Sequence, residues 1–290
     1  MTIVVTGSES FVGKELISQC LKLGIQVAGF DLVSNPTQSY EFHTADIRAG
    51  NIADYIPEGA DALVHLAALS RDTDCRNKAY ECFDVNVMGT LNLMKAAAEK
   101  HVKQFIFASS EWVYDQFIGG EEKDEDAPIN IANHTSEYAL SKLVSEANLR
   151  EQYQNGFCNV TILRFAIIYG PRKSNWSAVE SIFSAVKNQP KVTVGSLKTG
   201  RRFAHVSDIS RGIIKSIGLE GFNIINLSAN KVITLGEIIE TSQTLLGKNV
   251  EVVQSDPSKV SVRNPSNRKA KQLLNWEPEI DLATGLKTLL

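Results

Sequence analysis

Tyr138 and Lys142 stand four residues apart in the run SEYALSK, so on a helix they project from one face. A phenol titrates near pH ~10, too high for a base at neutral pH, but an adjacent ammonium favours its anion and brings it into range. Alone, Tyr-x-x-x-Lys occurs in many helices as an exposed pair. Its weight here comes from a second pattern upstream, Thr6-Gly7-Ser8-Glu9-Ser10-Phe11-Val12-Gly13, which closes a β-branched run and passes straight into a helical one. A glycine turn of this kind aims backbone N–H groups and the positive end of a helix dipole at one point, a seat for a pyrophosphate. Ser10 occupies the position where the usual fingerprint has its middle glycine. Asp31 closes the next strand-like run, where a carboxylate accepts hydrogen bonds from an adenosine ribose and repels a 2′-phosphate, favouring NAD over NADP. The competing role for Asp31 is a turn or helix cap. Asp46 and Ile47, after a third short strand, bring a carboxylate towards the adenine amino group. Ser110 ends the run QFIFASS at the carboxyl edge of a sheet, placed to bond a reacting oxygen or to cap a turn.

Such residues need a scaffold that gathers strand ends. Apolar β-branched runs at 3–6, 26–30, 62–66, 104–108 and 160–163 alternate with helix-period segments at 11–23, 79–100 and 138–154. Parallel strands need crossover connections, and helices supply them on both faces. The predicted fold class is therefore α/β, a Rossmann-type doubly wound parallel sheet with a smaller C-terminal substrate-binding domain. The sheet domain is expected over 1–165, with 206–228 returning to it through the strand-like run 222–227, and the smaller domain over 166–205 and 229–290. The smaller domain contains a basic turn from Lys198 to Arg202 and a polar, proline-bearing stretch at 256–271 that reads as a cap over a site. The acidic run 121–126 reads as a solvated loop without a function.

With 30 Lys plus Arg against 33 Asp plus Glu, the net charge of -3 gives no general electrostatic reason to expect a nucleic acid or an anionic membrane as partner. Cys20, Cys75, Cys82 and Cys158 form no C-x-x-C pair and have no His at ligand spacing; they read as buried or incidental thiols, with no metal site. Of the five histidines, His43, His101 and His134 are scattered, His65 and His205 stand within longer motifs, and each reads as bland, without support for a metal site. The N-terminus enters a strand at once, and no apolar stretch approaches the ~20 residues that span a bilayer, so cytoplasmic residence is expected.

Together these residues resemble the extended short-chain dehydrogenase/reductases, in particular NAD-dependent nucleotide-sugar epimerases and dehydratases of the UDP-glucose 4-epimerase type. The resemblance runs through nearly the whole chain: TGSESFVG, His65-Leu66-Ala67-Ala68, Asn86-Val87-Met88-Gly89-Thr90, SSEWVY at 109–114, LRFAIIYGPR at 163–172, Arg201 and Phe203 before His205-Val206-Ser207-Asp208, and the WEP turn at 276–278. It implies that Tyr138 is the acid/base on a sugar hydroxyl, that Lys142 holds the nicotinamide ribose, and that Ser110 polarises the substrate. Around the Gly7, Ser10 and Gly13 turn, Asp31, Asp46 and Ile47, it adds Phe11, Val12, Leu66, Ala67, Ala68, Ser109 and Phe165 as cofactor contacts, with Asn86 fixing the local loop. On the substrate side it implies Ser110, Glu111, Trp112, Arg201 and Arg263, the two arginines facing the nucleotide diphosphate as planar forks of donors. A solvent-exposed basic loop residue is the competing role for Arg263.

Departures from the family narrow the reaction. Sugar 4,6-dehydratases carry a carboxylate two residues before the VY tyrosine, where this chain has Trp112 with Glu111 one place earlier. Fucose-synthase-like epimerase/reductases carry a cysteine at the same place. Both chemistries lose their expected residue, and what remains needs only hydride transfer, as in inversion at C4. A 4-epimerase, a 4-ketoreductase and a sugar or uronate dehydrogenase all use Ser110, Tyr138 and Lys142. Ile167 replaces an asparagine of relatives with LRxxNVYGP, leaving open another sugar, another diphosphate pose or a free uronic acid. A sensor that binds NAD without turnover is the non-enzymatic alternative, and the intact Ser110, Tyr138 and Lys142 speak against it. The helices at 79–100 and 138–154 resemble those that pair across a two-fold axis in the family, implying a homodimer.

Overall fold

Seven strands form the principal sheet of the computed structural model, which describes residues 1–35, 39–174 and 176–290. They are β1 (Thr2–Thr6), β2 (Gln26–Asp31), β3 (Glu41–Thr44), β4 (Ala62–His65), β5 (Gln104–Ser110), β6 (Asn159–Phe165) and β7 (Phe222–Leu227), in spatial order β7-β6-β5-β4-β1-β2-β3. β1 pairs in parallel with both β2 and β4, Val5 lying opposite Gly29 and Val64. Ile3, Val4 and Val5 are fully buried, as a strand covered on both faces requires, which is why β1 reads as an unbroken apolar run rather than an alternation. The order of connection reverses between β1 and β4, so the crevice at their carboxyl ends is the switch point where doubly wound sheets take ligands.

Helices α1 (Phe11–Lys22), α2 (Gly89–Glu99) and α3 (Glu137–Gln154) contribute the crossover layers. Leu93 of α2 and Leu149 of α3 share a core with Val4, Leu63, Phe105, Phe107 and Ile162 of the strands. The expected single helix over 79–100 is interrupted: Ala79–Phe83 is followed by a π-turn at Asp84–Met88 before α2 begins. Single π-turns of this kind cluster at functional sites, and this one carries Asn86. Gly89 lets α2 lie close, since a Cβ there would stand 2.5 Å from Ile47 Cδ1.

The chain divides into two units, the first comprising Met1–Asp115, Pro128–Arg164 and Ser210–Ile225, the second Gln116–Ala127, Phe165–Ile209 and Asn226–Leu290. The expected unbroken run 1–165 is thus corrected, because 116–127 falls with the second unit. Charge and burial explain why. Glu122 pairs with Arg202 at 2.6 Å and with Arg268 at 3.1 Å, and Glu125, 8% exposed, accepts the Asn226 N–H at 2.6 Å. Glu122 and Glu125 thus tie the acidic run into the second unit, while Glu121, Asp124 and Asp126 stay exposed, as a solvated loop requires.

Within the second unit, helices Ala178–Asn188 and Leu235–Leu246 bury Val179, Phe183, Ile238 and Ile239 in one core, and each begins with a capping box, Ser177 with Glu180 and Thr234 with Glu237. The basic turn resolves into a short strand, Gly200–Arg201, flanked by Ile233–Thr234 and Val262–Arg263. Trp276 is fully buried and donates from Nε1 to the Asp208 carbonyl at 3.0 Å, while the Asp208 carboxylate accepts the N–H groups of Glu279 and Ile280. The HVSD and WEP motifs are two halves of this clasp. Among the described residues, no helix is long and apolar enough to cross a membrane.

Candidate active site

The turn after β1 is shaped by backbone meeting backbone. Gly7 has φ +67°, and a Cβ there would lie 2.7 Å from the Ala67 nitrogen; a Cβ on Gly13 would lie 2.3 Å from the Gly7 oxygen. No side chain fits at either place, so the N-terminal turn of α1 stays open at the β1/β4 switch point, and this is the shape that receives a pyrophosphate. Ser10 is the N-cap of α1: it is extended (φ -66°, ψ 167°), and its hydroxyl accepts the Gly13 N–H at 3.1 Å. That conformation makes no demand for glycine, which accounts for the departure from the fingerprint. Phe11 and Val12 open the helix. Asp31, at the end of β2, accepts the Glu9 N–H at 3.0 Å on one oxygen and the Val33 N–H at 3.1 Å on the other, so it braces the glycine turn while lying at the edge where a ribose would come. Asp46 pairs with Arg48 at 2.6 Å, Arg48 pairs with Asp84 at 2.6 Å, and the Arg48 guanidinium holds the Asp46 carboxyl below the usual range. Ile47 is buried beneath Gly89.

At the end of β4, His65 connects the sheet to α2. Its Nδ1 lies 2.8 Å from the Thr6 hydroxyl and its Nε2 2.9 Å from the Thr90 hydroxyl. The Thr90 hydroxyl donates to the Asn86 carbonyl at 2.6 Å, so it accepts from Nε2, which fixes the proton on Nε2 and makes Thr6 the donor to Nδ1. Burial drops the imidazole to about 3, so the ring is neutral. The Thr6 oxygen in turn accepts the Ala67 N–H at 3.1 Å. Beyond Leu66, Ala67 and Ala68, Asn86 accepts the Leu69 N–H at 2.8 Å and donates to the Leu69 carbonyl at 3.0 Å and to the Ser141 hydroxyl at 3.0 Å. It clamps the loop to α3. Sequence reasoning assigned His65 no role; the signal for it was its place between two threonine-bearing motifs.

Ser110, Tyr138 and Lys142 come together at the end of β5. Tyr138 is 8% and Lys142 3% exposed, and the lysine Nζ stands 6.0 Å from the phenol ring centre. Ser110 caps a short 3-10 turn by accepting the Trp112 N–H at 3.2 Å, and its side chain also bonds the Tyr138 hydroxyl. The turn-capping role open to this serine in the sequence is the one its Trp112 bond fills. Lys142 donates to the Ala108 carbonyl at 2.8 Å and lies over the Phe107 ring. Burial pushes the phenol up to about 12, with the Ser110 bond opposing, and brings the ammonium down to about 8. One turn beyond Lys142, Glu146 is buried with Arg164 in a two-point pair of 3.1 and 2.7 Å and accepts the Ser109 hydroxyl at 2.6 Å. This network fixes the strand end that carries Ser110, and the Glu146 charge holds Lys142 towards its cationic form. Its spacing from Lys142 was readable as a shared helix face; its partner on β6 was not.

Glu111 is 1% exposed, and Trp112 packs against Cys75, Cys82 and Tyr138. Phe165 ends β6 at 9% exposure. In the second unit, Arg201 and Arg263 are direct cross-strand neighbours in the parallel pairing of Gly200–Arg201 with Val262–Arg263. Arg201 donates to the Ser261 carbonyl at 2.6 Å, and the Arg263 guanidinium lies 5.5 Å from the Phe117 ring centre.

A family model described as the NAD dependent epimerase/dehydratase family matches residues 3–227. The chain is 28% identical to a UDP-glucuronate 4-epimerase of Thermodesulfobacterium geofontis, over 98% of this chain and 93% of that protein. It is 26% identical to UDP-glucuronic acid decarboxylase 1 of Arabidopsis thaliana, over 100% of this chain and 69% of that protein. The structure of the Thermus thermophilus UDP-glucose 4-epimerase in complex with NAD superposes with a TM-score of 0.85 at 25% identity, over 99% and 97% of the two chains.

Proposed function

The chain belongs to the NAD-dependent epimerase/dehydratase family, and on that premise we propose that it is a nucleotide-sugar epimerase that inverts C4 through a 4-keto sugar. The observation that carries this reading is the buried set of Ser110, Tyr138 and Lys142, with an indole, Trp112, where an added base would be needed for elimination. The likeness to a UDP-glucuronate 4-epimerase supports it.

NAD, when bound, supplies a reversible hydride acceptor. The residues that would hold it are the backbone of the Gly7 to Gly13 turn for the pyrophosphate, Asp31 for the ribose and Lys142 for the second ribose. With a phenol at about 12, Tyr138 begins protonated and becomes a base only beside positive charge. Lys142, at about 8, is mostly cationic at neutral pH and provides part of that charge. Tyr138 then takes the proton of the C4 hydroxyl and returns it after the keto sugar has turned its other face. Ser110, bonded to the phenol, keeps the phenol and the sugar oxygen in line. Arg201 and Arg263 suit the diphosphate that both nucleotide and sugar share.

A 4-ketoreductase or a sugar or uronate dehydrogenase would use the same three residues and consume cofactor each turnover. The test is incubation with UDP-, dTDP-, GDP- and CDP-sugars, with and without added NAD, followed by nicotinamide absorbance and NMR of the products. A stereoisomer without net NADH is the expected result; stoichiometric NADH would replace the epimerase with a dehydrogenase. Tyr138→Phe should lower turnover by roughly 10²- to 10⁴-fold and leave NAD binding intact. Undiminished turnover in that variant would remove Tyr138 from the chemistry.

A further inference from the structure

Cys75 and Cys82 take no part in the reaction assigned above, yet the fold brings them together. They lie on two short helices, Asp72–Cys75 and Ala79–Phe83, between which the chain turns through Asn77 in the left-handed region (φ 60°). The two Sγ atoms are 2.6 Å apart and both side chains are fully buried, packed with Tyr138, Leu69 and Trp112. Cys75 Sγ faces the Leu69 carbonyl at 3.8 Å, and Asn86 reaches Cys82 Sγ at 3.6 Å, so each thiol touches one end of the Leu69–Asn86 clamp. We propose that Cys75 and Cys82 form a dithiol that closes to a disulfide by exchange with a low-molecular-weight disulfide, stapling the segment between Leu69 and Asn86 behind Tyr138.

The exchange balances in two steps. One cysteine thiolate attacks a sulfur of the small disulfide, breaking its S–S bond, forming a mixed disulfide and releasing one small thiol. The second cysteine thiolate attacks the protein sulfur of that mixed disulfide, forms the Cys75–Cys82 bond and releases the second small thiol. Two electrons pass from the protein sulfurs to the small disulfide, and the two cysteine protons end on the released thiols. Burial pushes the Cys75 thiol up and keeps it unreactive while the segment is closed, so the exchange proceeds through local opening. The segment is suited to opening: its helices have four and five residues, neither has a side-chain cap bond, and the chain from Arg76 to Glu81 is exposed.

The test uses the full-length protein, incubated with oxidised glutathione at pH ~8, then denatured, alkylated and weighed. Alkylation should fall from four cysteines to two, and tryptic cleavage after Arg76 or Lys78 should leave the flanking peptides joined as one mass until a reductant separates them. Cys75→Ser and Cys82→Ser should each abolish the joined mass; because either variant could fold poorly, the wild-type linkage map is decisive by itself. Four alkylated cysteines, or glutathione adducts without a Cys75–Cys82 link, would overturn the proposal.

Discussion

Lys142 sits at a cost. Its ammonium is buried, and its pKa falls from 10.5 to about 8. The unfolded chain therefore keeps this proton to higher pH than the folded one, and folded stability rises as pH climbs from about 8 to about 10.5. Below that window the buried cation costs about 3 kcal/mol, partly offset by the Ala108 carbonyl and the Phe107 face. Lys142→Met should abolish turnover and yet stabilise the protein by roughly 1–2 kcal/mol at pH 7, a gain that shrinks towards pH 10. Urea unfolding at both pH values measures it; a variant less stable than wild type at pH 7 would mean that the lost hydrogen bond outweighs the charge. The residues proposed to react were legible because their geometry is local: Tyr138 and Lys142 are one helical turn apart, and Ser110 ends a strand. The Glu146–Arg164 pair was not, since α3 meets β6 only once the sheet has formed.

At the level of elements, the glycine turn tests how strictly a fingerprint must be kept. The Ser10 position is an N-cap with negative φ, so Ser10→Gly should change stability by only a few tenths of a kcal/mol, whereas Ser10→Ala, which loses the bond to Gly13, should cost about 1 kcal/mol. Thermal unfolding of the two variants checks the order, and a Gly variant that melts lower than the Ala variant would contradict the capping role. The strands and long helices were readable because periodicity and burial are local properties of the chain. The acidic run at 121–126 is exposed at Glu121, Asp124 and Asp126, as its composition suggests, but the ties of Glu122 and Glu125 were not legible, because their partners Arg202 and Asn226 stand 80 and 101 residues away. Composition reports a charge, not the guanidinium or amide that will meet it. Cys75 and Cys82 match no motif by spacing; two short helices and the turn at Asn77 bring their sulfurs together.

For the molecule as a whole, the family resemblance implies a homodimer through the segments 79–100 and 138–154. Light scattering after gel filtration should return twice the 31.9 kDa chain mass; a monomer at micromolar concentration would contradict it. Acid should act on the fold through His65. An imidazole free in solution takes up a proton near pH ~6.5, but His65 refuses one until about 3. As pH falls through that interval only the unfolded chain gains the proton, so stability present above about 6.5 drains away towards 3. A ring wired between Thr6 and Thr90 thus behaves as a fuse rather than a sensor: it ignores every fluctuation around neutrality, and sustained acidity breaks the joint between sheet and helix, with the cofactor's seat lost along with it.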